Sequence, residues 1–263
     1  MASSSTLVSV NLPLRVLKLG GSVLENEAGL ETAVREIERT ASSGARVLAV
    51  TSAFRGVTER LLERARSRFP SPSPDALASL LATGESTAAA FLSLALDSAG
   101  IPNELLDPDR VRLRVRGPAL DAEPAHVDIE VIEKALTSKP VAVLPGFFGR
   151  RSSGAVALLG RGGSDLTALF VAERLGAQEC RLIKDVDGLY SEDPAHAAEA
   201  PRRYRRASWE ELLRVGGTLV QRKAVEFARK HRLDFTIAAP LSDEPTRIGP
   251  VTELTELREP AVS

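Results

Sequence analysis

Four short apolar runs in this chain each end in a cluster of glycines, hydroxyls or acids: after Leu19, after Thr51, after Leu159 and after Lys184. In a parallel α/β sheet, ligands bind at the carboxyl ends of the strands. Four such clusters therefore point to one shared site sooner than to four unrelated turns. The segments between them fit that architecture. Residues 15–19, 47–51, 140–145, 156–159, 179–183 and 234–238 read as strands, the last as the final one, with shorter strands over 103–106 and 111–115. Leu30, Ala33, Val34 and Ile37 recur at helical spacing, which predicts a helix over 27–43 closed by Gly44. Further helices are expected over 58–69, 75–99 with an interruption at Gly84, 128–136, 164–175 capped by Gly176, 208–214 and 219–231. The proline-rich stretch 70–74 reads as a loop. Strands alternating with helices predict an α/β fold whose mostly parallel sheet is covered on both faces.

Bulk properties narrow the function. The chain has 263 residues, ample for a packed core, and its net charge of −1 gives no basic excess for binding nucleic acid. A single cysteine, Cys180, excludes an intrachain disulfide and reads as a buried strand residue of an intracellular protein. No apolar run approaches the length of a membrane span, and residues 1–13 lack the basic start and apolar core of a signal peptide. The expectation is a cytoplasmic protein with no membrane partner. His126, His196 and His231 lie far apart without metal-ligand spacing, so no residue is assigned to a metal and a histidine-based triad is disfavoured.

Lys18-Leu19-Gly20-Gly21-Ser22 places two glycines directly after a strand. There the backbone can approach a ligand and turn amide N–H groups toward phosphate oxygens, with a lysine in reach; a tight turn beside a solvated lysine is the plain alternative. Gly160-Arg161-Gly162-Gly163-Ser164-Asp165 opens onto a helix, whose first turn favours anions. Ser164 or Asp165 can serve as an N-cap, but capping does not account for Arg161, whose fork suits a carboxylate. The spacing is neither a P-loop nor a dinucleotide fingerprint. Lys184-Asp185-Val186-Asp187-Gly188-Leu189-Tyr190, continuing to Asp193-Pro194, is an acidic loop that suits a ribose or a metal ion, with Tyr190 beside an adenine, or else is a surface turn. Ser52 and Thr58 offer hydroxyls after a strand. Glu85 is either a partner for an ammonium group or an exposed helix residue.

In this order, KLGGS (18–22), TSAFRGVT (51–58), GES (84–86), PGFFG (145–149), GRGGSDLTA (160–168) and DVDGLYSEDP (185–194) resemble the catalytic domain of the aspartate kinases, within the amino acid kinase superfamily. The resemblance runs from about Arg15 to about Ile248. It implies a three-layer αβα sandwich and transfer of the γ-phosphoryl of ATP to the side-chain carboxylate of L-aspartate, with Mg²⁺ bridging the phosphates. Lys18 would stabilise the transferring phosphoryl and Asp165 would orient Lys18. Gly20, Gly21 and Ser22 would hold phosphates. Ser52, Thr58, Glu85, Arg161 and Ser164 would bind the amino acid, and Lys184, Asp185, Tyr190 and Asp193 would line the nucleotide pocket. The implied organisation is a leader over 1–14, one domain over 15–250 and a tail over 251–263. Within the domain, about 15–150 takes the amino acid and about 151–250 the nucleotide. A homodimer is expected.

Three departures stand out. KLGGS replaces the usual KFGGTS and is closer to acetylglutamate and uridylate kinases. Thr218 stands where the family has a lysine that contacts ATP, while Lys184 stands where a threonine is usual and is placed to supply that charge from another direction. The C-terminal ACT domains of aspartate kinases have no counterpart here, so feedback by lysine or threonine is expected to be absent or to come from a separate regulatory chain. Two alternatives follow: a kinase of this fold acting on another carboxylated small molecule, and a non-catalytic nucleotide-binding regulatory protein.

Overall fold

The computed structural model describes residues 12–25, 27–192, 201–217 and 219–254. The described residues form two sheets and seven helices. The larger sheet is built on β1 (Leu14–Leu19), β2 (Arg46–Thr51), β6 (Val141–Pro145) and β9 (Glu179–Ile183), all buried or nearly so. Such strands read as continuous apolar runs because helices cover both of their faces. β3 (Asn103–Leu105), β10 (Tyr204–Ser208), β11 (Phe235–Ala238), β12 (Thr246–Gly249) and β13 (Glu253–Leu254) complete it in the order β13-β10-β12-β11-β9-β1-β2-β6-β3. Pairing is parallel except for β11 with β12 and β10 with β13. β5 (Glu123–His126), β4 (Arg114–Arg116), β7 (Phe148–Arg150) and β8 (Val156–Leu158) form a second, four-stranded sheet in that order.

Side-chain alternation splits the core into the two outer layers of a sandwich. Leu17, Leu19, Val47, Ala49, Val141 and Val143 face α1 (Glu27–Ser42) and α3 (Pro74–Ser98). Val16, Leu48, Val50, Leu144, Cys180 and Leu182 face α4 (Ile129–Ser138), α5 (Gly163–Leu175) and α7 (Arg222–His231). Cys180 is buried as expected. α2 (Val57–Arg68) and the first half of α3 cover the small sheet, while α6 (Trp209–Val215) leads into α7.

Several expectations need correction. α3 runs through Gly84 without a break, because a side chain there would press at 3.2 Å on both Ala53 and Val57; the glycine permits close packing and does not end the helix. α3 is also long and apolar enough, by length and composition, to cross a membrane; half of that stretch is buried inside the fold, as in a core helix. Residues 110–112 form a turn with Arg112 at φ 47°, so the strand expected over 111–115 begins only at Arg114. α7 starts at Arg222 behind Gln221 and not at Leu219. β11 is not the last strand: β12 and β13 follow, and β13 lies in the segment read as a tail.

Candidate functional site

Register gathers the clusters. Leu19 lies opposite Thr51 on β2 and Ile183 on β9, and Thr51 lies opposite Pro145 on β6. The residues that follow, Gly20, Ser52, Gly146 and Lys184, therefore form one row across four neighbouring parallel strands. β1 sits where the strand order reverses, with β2 on one side and the much later β9 on the other. A crevice opens at such a point.

Alternation then decides direction. Leu14 and Val16 pack on the α5 side of the sheet, so Lys18 points there too. Cys180 and Leu182 do the same on β9, which sends Lys184 to that side. Both lysines meet Asp165 on the first turn of α5. Lys18 Nζ lies 2.8 Å from Oδ1, and Lys184 Nζ donates to Oδ2 at 2.8 Å. Asp165 is 3% exposed. Burial by itself raises a carboxyl, but Lys18 and Lys184 outweigh it and hold Asp165 below its ordinary range. Burial pulls Lys184 below the usual lysine range, with Asp165 opposing. The helix N-terminus adds to the stability of the carboxylate.

The preceding residue, Ser164, turns toward α3. Its hydroxyl donates to Glu85 at 3.3 Å, and the backbone N–H of Ala53 donates to the same carboxyl. Glu85 is not the exposed helix residue of the plainer alternative, being only 3% exposed. Burial drives its pKa from 4.5 to about 7; the Ala53 bond, Lys18 and Ser164 hold it from rising further, while Asp165 adds to the rise.

Close backbone approaches frame this cluster. A Cβ on Gly21 would lie 2.6 Å from the Ala53 carbonyl oxygen, and one on Gly146 would lie 2.9 Å from Ser164. Gly162, at φ 69°, caps α5 where a side chain would overlap Gln221 at 2.5 Å. The cap is thus neither Ser164 nor Asp165, and both side chains are left for the site.

The structure brings together Lys18, Glu85, Ser164, Asp165 and Lys184, with Gly20 beside the Lys18 ammonium. Ser52 adjoins them, its N–H bonded to the Leu19 carbonyl at 3.0 Å. Ser22 follows in the turn after β1, and Thr58 lies in the first turn of α2. Arg161 is exposed on the loop before α5. Asp185 is exposed but close enough to favour the charged form of Lys184. Tyr190 is not in the cluster; its hydroxyl donates to Asp187 at 2.9 Å. Asp193 and Thr218 lie outside the described residues. Among the described residues, no three histidine, cysteine or acidic side chains converge as metal ligands.

Two supports escaped the sequence reading. Lys223 on α7 donates to Asp121 Oδ1 and the Ala122 carbonyl, both at 2.7 Å, and to the Leu159 carbonyl at 3.3 Å, which fixes the start of the Arg161 loop. Glu36 is fully buried on α1 and accepts from Arg39 at 3.0 Å and from the Leu241 N–H at 2.6 Å. A charge three residues after Ala33, on the apolar side of that helix, was the available signal.

A doubly covered parallel sheet with two lysines and a carboxylate at its reversal point defines a class of α/β proteins suited to binding phosphate. Residues 13–238 match the amino acid kinase family, and the chain belongs to it. It is 30% identical over 255 residues to an aspartate kinase of Stutzerimonas stutzeri, spanning 96% of this chain and 62% of that relative's length. Aspartate kinase from Synechocystis superposes with a TM-score of 0.77 at 28% identity, over 90% of this chain and 40% of that one. E. coli aspartokinase III, solved with aspartate and ADP, shares the fold with a TM-score of 0.75 at 21% identity, over 91% of this chain and 65% of that one.

Proposed function

We propose that this chain transfers the γ-phosphoryl group of ATP to the side-chain carboxylate of L-aspartate, giving 4-phospho-L-aspartate. The observation that carries the reading is the adjacency of Glu85–Ser164 and Lys18–Asp165. The first pair presents a buried acceptor for an ammonium group, and the second presents a cation at a glycine turn. The aspartate kinase relatives and the ADP and aspartate of the E. coli structure support the same chemistry.

In this reading Glu85 receives the ammonium of the amino acid and Arg161 a carboxylate, with Ser52, Thr58 and Ser164 as hydrogen-bonding groups. Lys18 neutralises the transferring phosphoryl, and Asp165 orients Lys18. Gly20, Gly21 and Ser22 cradle phosphates, while Lys184, Asp185, Tyr190 and Asp193 serve the nucleotide. The amino acid lies toward residues 15–150 and the nucleotide toward 151–250. A carboxylate nucleophile needs no general base, so the reaction rests on positioning and charge neutralisation. The described residues offer cations and, among them, no converging set of metal ligands, which suits a Mg²⁺ carried by the nucleotide. When bound there, the ion neutralises phosphate charge.

Leu80, Phe91 and Leu94 lie exposed along one stripe of α3 and support a homodimer, to be checked by light scattering. The setting proposed is the cytoplasm. The primary test is ADP release from Mg·ATP against a panel of acidic amino acids, with hydroxylamine trapping the acyl phosphate. Hydroxamate with L-aspartate is expected. Turnover only with another acceptor, or none with any, would refute the reading.

A further inference from the structure

We propose that Lys184 is a second catalytic cation, contacting the γ-phosphoryl oxygens of ATP jointly with Lys18; this rests on the phosphotransferase reading above. Two adjacent parallel strands send two lysines to the same side of the sheet, and Asp165 holds one on each of its oxygens at 2.8 Å. Each ammonium has three N–H donors. Among the described residues, Lys184 gives one donor to Asp165 Oδ2, Lys18 meets Oδ1 as an ion pair, and no other protein acceptor takes the donors of either ammonium. Several N–H donors are thus left around one carboxylate, beside the turn at Gly20.

The charges do not cancel either. Lys18 and Lys184 are opposed by Asp165 in a pocket where their side chains are 6%, 12% and 4% exposed. Glu85 is near its midpoint at neutral pH and is already bonded to Ser164 and Ala53. Burial pulls Lys184 toward its neutral form. A second anion among the remaining donors relieves both conditions, and a tetrahedral phosphoryl group has the oxygens to take them.

The reaction conserves charge around this pair. An acceptor carboxylate oxygen forms the new P–O bond as the bond from the γ-phosphorus to the β,γ-bridging oxygen breaks. ADP leaves with that electron pair, and no proton moves. Two cations held by one carboxylate follow the group across without exchanging partners. Because β1 and β9 are neighbouring core strands, the pair is pre-positioned and does not depend on closure of a loop.

The test compares nucleotides with and without the γ group. In Lys184→Met, affinity for the imido analogue of ATP should fall by about tenfold while ADP affinity stays within about twofold. Turnover should fall by at least roughly 100-fold. Lys184→Gln keeps a donor toward Asp165 and should show the same selective loss, which covers a folding failure of the methionine variant. Lys184→Arg should keep the preference for the γ-bearing nucleotide. Equal weakening of both nucleotides, or of neither, would overturn the assignment. Wild-type protein that binds no adenine nucleotide would overturn both this and the kinase reading. Wild-type protein that binds the ATP analogue but makes no aspartyl hydroxamate would sink the acceptor assignment alone, and the selective loss in Lys184→Met would still support this one.

Discussion

In the proposed function Glu85 would make the aspartate site a pH-dependent one, and the size of the effect follows from its surroundings. Its carboxyl, ordinarily at 4.5, is held at about 7 chiefly because it is buried. Only the ionised form offers full charge to an ammonium group. Between about pH 6 and about pH 8 the ionised fraction rises from about one tenth to about nine tenths. Over that range the amino acid keeps its ammonium and both carboxylates. With Mg·ATP saturating, the KM for aspartate should therefore fall about tenfold as pH rises, with a midpoint near 7. Glu85→Gln, which preserves the bonds from Ser164 and Ala53, should raise KM and remove the dependence.

The same carboxyl predicts a stability effect of opposite sense. Between 4.5 and about 7 the folded state binds the proton that the unfolded chain has lost. Stability therefore falls as pH rises through this window and is lowest above it, by about 3 kcal/mol. Glu85→Gln should thus match wild-type stability near pH 5 and exceed it by up to about 3 kcal/mol near pH 8, measured by urea unfolding without ligand. Groups facing Glu85 that share the charge balance are Lys18, Asp165 and Ser164. A flat KM across the range, or a Glu85→Gln variant less stable than wild type at pH 8, would refute this account of the site.

Three further perturbations test the frame. Arg161→Lys replaces a planar fork with a point charge and should raise the KM for aspartate by roughly tenfold with a smaller change in kcat, seen in steady-state assays. Glu36→Ala leaves Arg39, the partly buried Arg181 and the Leu241 N–H without their shared carboxylate and should cost about 3 kcal/mol in urea unfolding. Gly21→Ala drives a Cβ to 2.6 Å from the Ala53 carbonyl, so the turn must move. ADP affinity, read by calorimetry, should drop by about tenfold or more.

What the sequence disclosed and what it withheld divide along physical lines. β1, β2, β6 and β9 were readable because they are buried on both faces and so run apolar without interruption. β5 (EPAH) and β10 (YRRAS) carry charged, half-exposed residues whose pairing depends on partners far along the chain, and nothing local marks them. β12 (TRIG) is mostly buried, but it and β13 are four and two residues long, too short for a periodicity to mark them. At the site, the glycine and acidic clusters were readable as motifs, and their convergence followed from strand ends. The pairing of Lys184 with Asp165 was within reach of alternation alone, since Cys180, Leu182 and Lys184 share a parity. Burial of Glu85 was not: α3 carries apolar and small residues on most of its circumference, so periodicity does not say which side faces inward.

One helical turn joins the two halves of the proposed chemistry. Ser164 and Asp165 are successive residues on α5, and successive side chains diverge by about 100° around a helix. Ser164 thereby reaches Glu85 on α3, while Asp165 reaches Lys18 and Lys184 on the sheet. The acceptor-side and phosphate-side contacts thus hang from adjacent Cα atoms. Gly162 and Gly163 let that turn pack against Gln221, Phe147 and Leu159 at distances a side chain would forbid. Thr167, one turn on, accepts from the Phe147 N–H at 3.1 Å and donates to the Gly163 carbonyl at 2.9 Å. Phe147 itself holds a left-handed φ of 72°, a strained conformation for a side chain of this size that the surrounding contacts must maintain. In the proposed reaction the spacing between acceptor and phosphoryl donor would therefore be set by the rigid geometry of a helix start, and the glycines before it are needed for that start to reach the sheet.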